Sequence, residues 1–109
     1  HEQGLAVDLS WNGSVINSRS SPAFAWLAAN ARRFGFCQTY TPKGKARPHG
    51  YEEEPWHWSY CPIANRYLSQ YAEQITYDHI TGFQGAHVAP SLKVIPHYVM
   101  GINPDCRKP

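Results

Sequence analysis

Two short stretches about fifty residues apart, His1-Glu-Gln-Gly-Leu-Ala-Val-Asp8 and Glu54-Pro-Trp-His57, hold two imidazoles and two carboxylates. A fold that brings them together assembles an open catalytic zinc site: three protein ligands drawn from His and Asp/Glu, a fourth position left to water, and a nearby carboxylate to move that water's proton. His1, Asp8 and His57 would be the ligands and Glu54 the base. Each half alone is weak, because such spacings recur by chance. The plain alternatives are an ordinary terminal residue for His1 and a histidine satisfied by a backbone carbonyl for His57. In combination and in this order the signal is strong.

The segments around these residues read as an α+β domain. Leu5 to Leu9 is short and apolar, broken only by Asp8, which suits a strand carrying its carboxylate into a site. Trp11-Asn12-Gly13-Ser14 reads as a turn. A helix is expected over Pro22 to Phe34, with Ser21 as cap, Pro22 in the first position and Gly35 ending it in the left-handed conformation. Phe24, Leu27, Ala28 and Ala31 would face the sheet. Residues 35–40 form a β-prone run, and 41–53, with Pro42, Gly44, Pro48 and Gly50, a long loop whose Tyr51 and His49 are candidate substrate contacts. Lys43, Lys45 and Arg47 read as a solvated cluster.

Glu54 and His57 raise a geometric question. A regular strand turns positions i and i+3 to opposite faces, whereas a helix keeps them together. Pro55 cannot donate to a ladder, so a bend or bulge there could swing Glu54 toward His57; a helix with Pro55 at its first position is the alternative. The aromatic run Trp56-His57-Trp58-Ser59-Tyr60 favours the strand, in which Trp56 and Trp58 would wall the site. Beyond it, Ala64, Tyr67, Leu68, Tyr71 and Ile75 recur at helical spacing, Gly82 to Gly85 interrupts, and a further helix from Pro90 is broken by Pro96. His79, His87 and His97 lack partner spacing and read as structural or exposed.

With 109 residues, 42% hydrophobic and 17% charged, the chain is expected to form one small domain. No apolar run is long enough to span a membrane. A formal charge of +2 gives no argument for nucleic acid. Three cysteines suit an oxidising compartment with one disulfide and one thiol left over. If 35–40 and 54–61 are neighbouring antiparallel strands, Cys37 falls opposite the middle of the second, out of easy reach of Cys61 at its end; the favoured pair is therefore Cys61 with Cys106. Cys37 is then buried or paired upstream.

The two motifs resemble those of VanY-like D-alanyl-D-alanine carboxypeptidases, zinc peptidases that trim peptidoglycan stems and share a fold with lysostaphin-type peptidases and the Hedgehog domain. The first motif, His-x-x-Gly-x-Ala-x-Asp, is met by His1, Gly4, Ala6 and Asp8, and the second, Glu-x-Trp-His, by Glu54, Trp56 and His57. Trp26-Leu27, Asn30-Ala31 and Phe34-Gly35-Phe36 are similar to the family's helix and following strand. The resemblance covers residues 1 to about 61 and leaves 62–109 as a helical extension.

It implies a small antiparallel sheet carrying Zn2+, with flanking helices, and a stem-peptide substrate handled outside the cytoplasm, secreted, periplasmic or wall-associated. It also implies that upstream elements, with an Arg for the substrate carboxylate, complete the domain from a preceding segment or a second chain. Carboxypeptidase leads endopeptidase. A zinc-binding, non-catalytic module and an inactive piece of the domain are the other readings, and Glu54 is the residue that favours the enzyme.

Overall fold

A computed structural model describes residues 4–107. Three short strands, β1 (Ala6–Asp8), β4 (Phe36–Gln38) and β5 (His57–Tyr60), form an antiparallel sheet in the order β1-β5-β4. Asp8 lies opposite His57, Ala6 opposite Ser59 and Cys37 opposite Ser59. Side chains alternate across a pleated strand, so these five residues share one face, while Val7, Trp58, Gln38, Phe36 and Tyr60 point to the other. The small α+β architecture with an antiparallel sheet agrees with the sequence reading.

Between β1 and β4 the chain makes a hairpin and a helix. β2 (Ser10–Trp11) and β3 (Ser14–Val15) pair around Asn12 and Gly13, both at positive φ (51° and 82°), as a two-residue hairpin turn requires. The helix α1 (Pro22–Asn30) has Pro22 in its first turn, and a tighter 3-10 turn, Ala31–Phe34, carries it to Gly35, which is left-handed at φ 88°. Ser21 occupies the cap position, but its side chain makes no capping bond. Ala28 is exposed; Phe24 and Ala31 are buried, and Ala23 and Leu27 pack beside them. The inward stripe is therefore rotated slightly from the one expected.

The core lies on the α1 side of the sheet. Ile16, Phe24, Ala31 and Trp58 are buried together, with Leu9, Leu27, Phe36 and Trp56 packed against them. Trp58 is 4% exposed and its indole N–H donates to the Pro55 carbonyl at 2.9 Å. This corrects the expectation that Trp58 walls the site: it points away from His57, and Trp56 packs against the same core. Trp58 and Tyr60 share the face opposite His57, and the core with α1 lies on that face.

The loop 41–53 is held by a residue expected to be solvated. Arg47 is 2% exposed and donates to the carbonyls of Thr41 and His49, the latter at 2.8 Å, and to the Thr41 hydroxyl at 3.4 Å; its guanidinium lies over the Tyr40 ring. A planar fork of donors can turn a loop's inward carbonyls into a satisfied network, and that is how a buried cation is tolerated here. Lys43, by contrast, makes an exposed ion pair with Glu52 at 3.2 Å.

After β5, α2 (Cys61–Gln74) runs as expected, and the chain returns through turns, the short α3 (Ala89–Leu92), and a wide turn over Val94–Val99. Pro96 has no N–H to donate, Lys93 is left-handed (φ 51°), and Met100 N–H reaches back five residues to Ile95 O. Asn103 then fastens the segment to β4, its backbone N–H donating to Thr39 O (2.8 Å) and its side chain to Gln38 O (2.9 Å). The 41–53 loop meets this return at Gly50 and Gly101, and His49 stacks on His97 at 3.7 Å between ring centroids.

A side chain at Gly50 (φ 92°) would overlap the Gly101 carbonyl. Gly50→Ala should therefore cost at least about 3 kcal/mol, strain plus forced separation of two backbones. Chemical denaturation checks it, and a loss under about 1 kcal/mol would mean the loop does not dock there.

Candidate active site

The bend at Pro55 brings the second motif together. Glu54 N–H donates to Tyr40 O (2.9 Å), which ties it to the end of β4; His57 N–H then closes a turn on Glu54 O (3.2 Å), and β5 begins. Pro55 is buried in that turn under the Trp58 indole. Glu54 and His57 consequently face each other although they are three residues apart, as the bent-strand reading requires, and no helix forms there.

Cross-strand pairing supplies Asp8. His57 Nδ1 lies 3.6 Å from Asp8 Oδ1 and 3.9 Å from Glu54 Oε2, so one edge of the imidazole meets both carboxylates. Glu54 Oε2 is buried and accepts no hydrogen bond among the described residues. Burial, and then the charge of Asp8, hold the Glu54 carboxyl above its ordinary range. Burial lowers His57, with Asp8 working against it. Two carboxylates therefore crowd one edge of an imidazole, and Glu54 Oε2 there is desolvated; among the described residues, the side chains whose ligand atoms gather closely enough to hold a metal ion by themselves are Cys37, Cys61 and Cys106. His1, the remaining expected ligand, lies outside the described residues.

Tyr40 completes the surroundings. Its ring meets His57 edge-on at 5.2 Å and Tyr51 edge-on at 5.2 Å. Burial, then the charge of Glu54, raise its hydroxyl pKa, with Arg47 acting in the opposite direction. Sequence reasoning passed over Tyr40; the aromatic end of the 35–40 run was the available signal. Tyr51 is exposed and stands over this corner, with Tyr98 6.0 Å away.

From His57 a groove of about 480 Å³ runs along the same face of the sheet. Ala6 and Ser59 form its floor, Tyr67, Leu68 and Tyr71 of α2 one wall, and Val99 and Ile102 of the return segment lie along it. Trp56 and Trp58, the expected walls, are absent from its lining.

The lowered histidines have a measurable consequence. His97 is also held below the ordinary histidine value, by burial and then by His49 and Lys93. A folded pKa below the unfolded one means that the unfolded chain binds the proton more readily. Stability is then complete above about pH 6.5 and is lost as pH falls through that value toward the folded pKa. Urea midpoints of metal-free protein should drop between about pH 7.5 and about pH 5.5, and His97→Gln should shrink the drop. Glu54, raised, has the opposite sign, so an unchanged drop in the His97 variant would assign the effect elsewhere.

The family model described as VanY, D-alanyl-D-alanine carboxypeptidase, matches residues 1–63. A D-alanyl-D-alanine carboxypeptidase of Enterococcus faecium is 32% identical over 63 residues, 58% of this chain and 20% of that protein. The chain thus spans about a fifth of that curated relative's length. No solved structure matches it. The matched residues include Asp8, Glu54 and His57, brought together here by β1, the Pro55 turn and β5, and the chain belongs to the VanY family of D-alanyl-D-alanine carboxypeptidases.

Proposed function

We propose that this protein is a zinc-dependent peptidase that removes the terminal D-Ala from peptidoglycan stem peptides. The observation that carries the reading is Glu54 Oε2, buried without a hydrogen bond among the described residues and 3.9 Å from the imidazole nitrogen that Asp8 also faces. Asp8 and His57, with His1, would hold the ion. When bound, the ion supplies a Lewis acid for the scissile carbonyl and acidifies the attacking water.

Glu54 takes the water's proton during attack and returns it to the leaving amine. Its raised pKa in the metal-free protein fits a base starved of solvent, and a cation beside it would bring that pKa down. Asp8 keeps His57 oriented across the strand pair. The groove receives the stem, and Tyr51, packed on the groove residue Tyr40, would be a binding residue. The family name supports the substrate class, and a cell-wall substrate would be met outside the cytoplasm. Among the described residues no helix is long and apolar enough to cross a membrane.

The test is mass spectrometry of purified pentapeptide muropeptides incubated with the protein, with zinc and with a chelator. Metal-dependent loss of one alanine supports the proposal. An internal cut converts it to an endopeptidase, and no product with zinc stoichiometrically bound removes it.

A further inference from the structure

The three cysteines, expected to be spread between a Cys61–Cys106 bond and a separate Cys37, converge. Their sulfurs all lie within 4.8 Å of one another, and Cys37 Sγ is within bonding reach of both Cys61 and Cys106. The Cα separations from Cys37 are 6.6 Å to Cys61 and 5.9 Å to Cys106, inside the usual range for a disulfide. The expectation that Cys37 could not reach Cys61 fails because α2 starts at Cys61 and turns its first side chain back over the sheet. Cys37 is opposite Ser59 on the groove face, and Cys106 enters from the return segment, where its sulfur lies 3.4 Å from Gln38 O.

One sulfur forms one disulfide, so these two contacts are alternatives, and in either of them the third thiol stands beside the bond. We propose that Cys37, Cys61 and Cys106 form a thiol–disulfide exchange site in which Cys37 pairs in turn with Cys61 or Cys106. The thiolate of Cys106 attacks Cys37 Sγ. The Cys37–Cys61 bond breaks, its electron pair leaves on Cys61, and Cys61 takes up the proton that Cys106 gave. The exchange consumes no oxidant; only the first disulfide needs one, such as oxidised glutathione.

The two pairings differ in what they fasten. Cys37–Cys106 closes a span of 69 residues and locks the return segment, with Ile102, along the groove that leads to His57. Cys37–Cys61 spans 24 residues within the sheet and its adjoining helix. It leaves the return segment on the Asn103 hydrogen bonds and packing alone. The exchange site thus acts as a latch on one side of the groove. The chemistry of the latch is independent of the proposed reaction; its effect on substrate access rests on that reading.

Trypsin places the three cysteines in separate peptides, 34–43, 46–66 and 94–107, so the linkages can be read directly. The protein is oxidised with glutathione, its thiols are trapped with N-ethylmaleimide in acid, and it is mapped without reduction. Finding 34–43 joined to 46–66 and to 94–107, in a ratio that a trace of reduced glutathione brings to a common value, supports exchange. A single linkage under all conditions overturns it, as does a 46–66 to 94–107 bond. Three titratable thiols holding one zinc in the untreated protein would also overturn it, making the cluster a metal site. Cys61→Ala and Cys106→Ala each fix one pairing. Limited proteolysis between 76 and 105 should be at least about tenfold faster in Cys106→Ala, since the closed loop is then lost. Equal rates would remove the latch while leaving the muropeptide result untouched.

Discussion

Glu54→Gln is expected to lower turnover of a pentapeptide muropeptide by about 10²–10⁴-fold while zinc content and KM stay close to those of the parent protein. The substitution is nearly isosteric and preserves the turn that Glu54 makes with its backbone, through Tyr40 O and the His57 N–H. What disappears is the capacity to take a proton. Asp8 and His57 remain to bind the cation, so metal content should survive. Stopped assays with parallel zinc determination separate the two properties. Retention of more than about a tenth of the parent turnover would show that Glu54 is not the base.

Trp58→Ala is expected to cost about 3–5 kcal/mol, because it empties the centre of the core formed with Phe24, Ile16 and Ala31. For a domain of this size the melting temperature should fall by at least about 12 °C. Trp58→Phe is the sharper probe of the site. It keeps most of the apolar volume but removes the indole N–H that holds the Pro55 carbonyl, a loss of about 1 kcal/mol. Since Pro55 sits in the turn that presents Glu54, kcat should fall with KM nearly unchanged. A rise in KM at constant kcat would return Trp58 to the groove.

The punctuation of this fold was legible in the sequence because it rests on local backbone chemistry. Asn12-Gly13 permits the hairpin turn, Pro22 opens α1, Gly35 closes it, and Pro55 allows the bend between Glu54 and His57. The meeting of Asp8, Glu54 and His57 was also readable from the two motifs taken together in their order. Arg47 was not readable. Its burial depends on two carbonyls that turn inward only once the 41–53 loop has closed, a property of the folded loop and of no residue in it.

Trp58 was misassigned although alternation along β5 turns it to the face opposite His57, which is the face that α1 covers. Cys37 was misplaced for a different reason. Strand register fixes the position of its Cα, but the turn from β5 into α2 brings Cys61 back over it.

The division of labour along β5 bears on how the protein can change over generations. His57 and Ser59 line the groove, whereas Trp58 and Tyr60 pack on the opposite face, and they alternate one by one. A substitution in one set is therefore felt first in the groove and one in the other set first in the core. Insertion or deletion of a single residue in this stretch is felt in both. It would send the imidazole into the core and the indole into the groove at once, so a change in number spoils both faces together where a replacement spoils one.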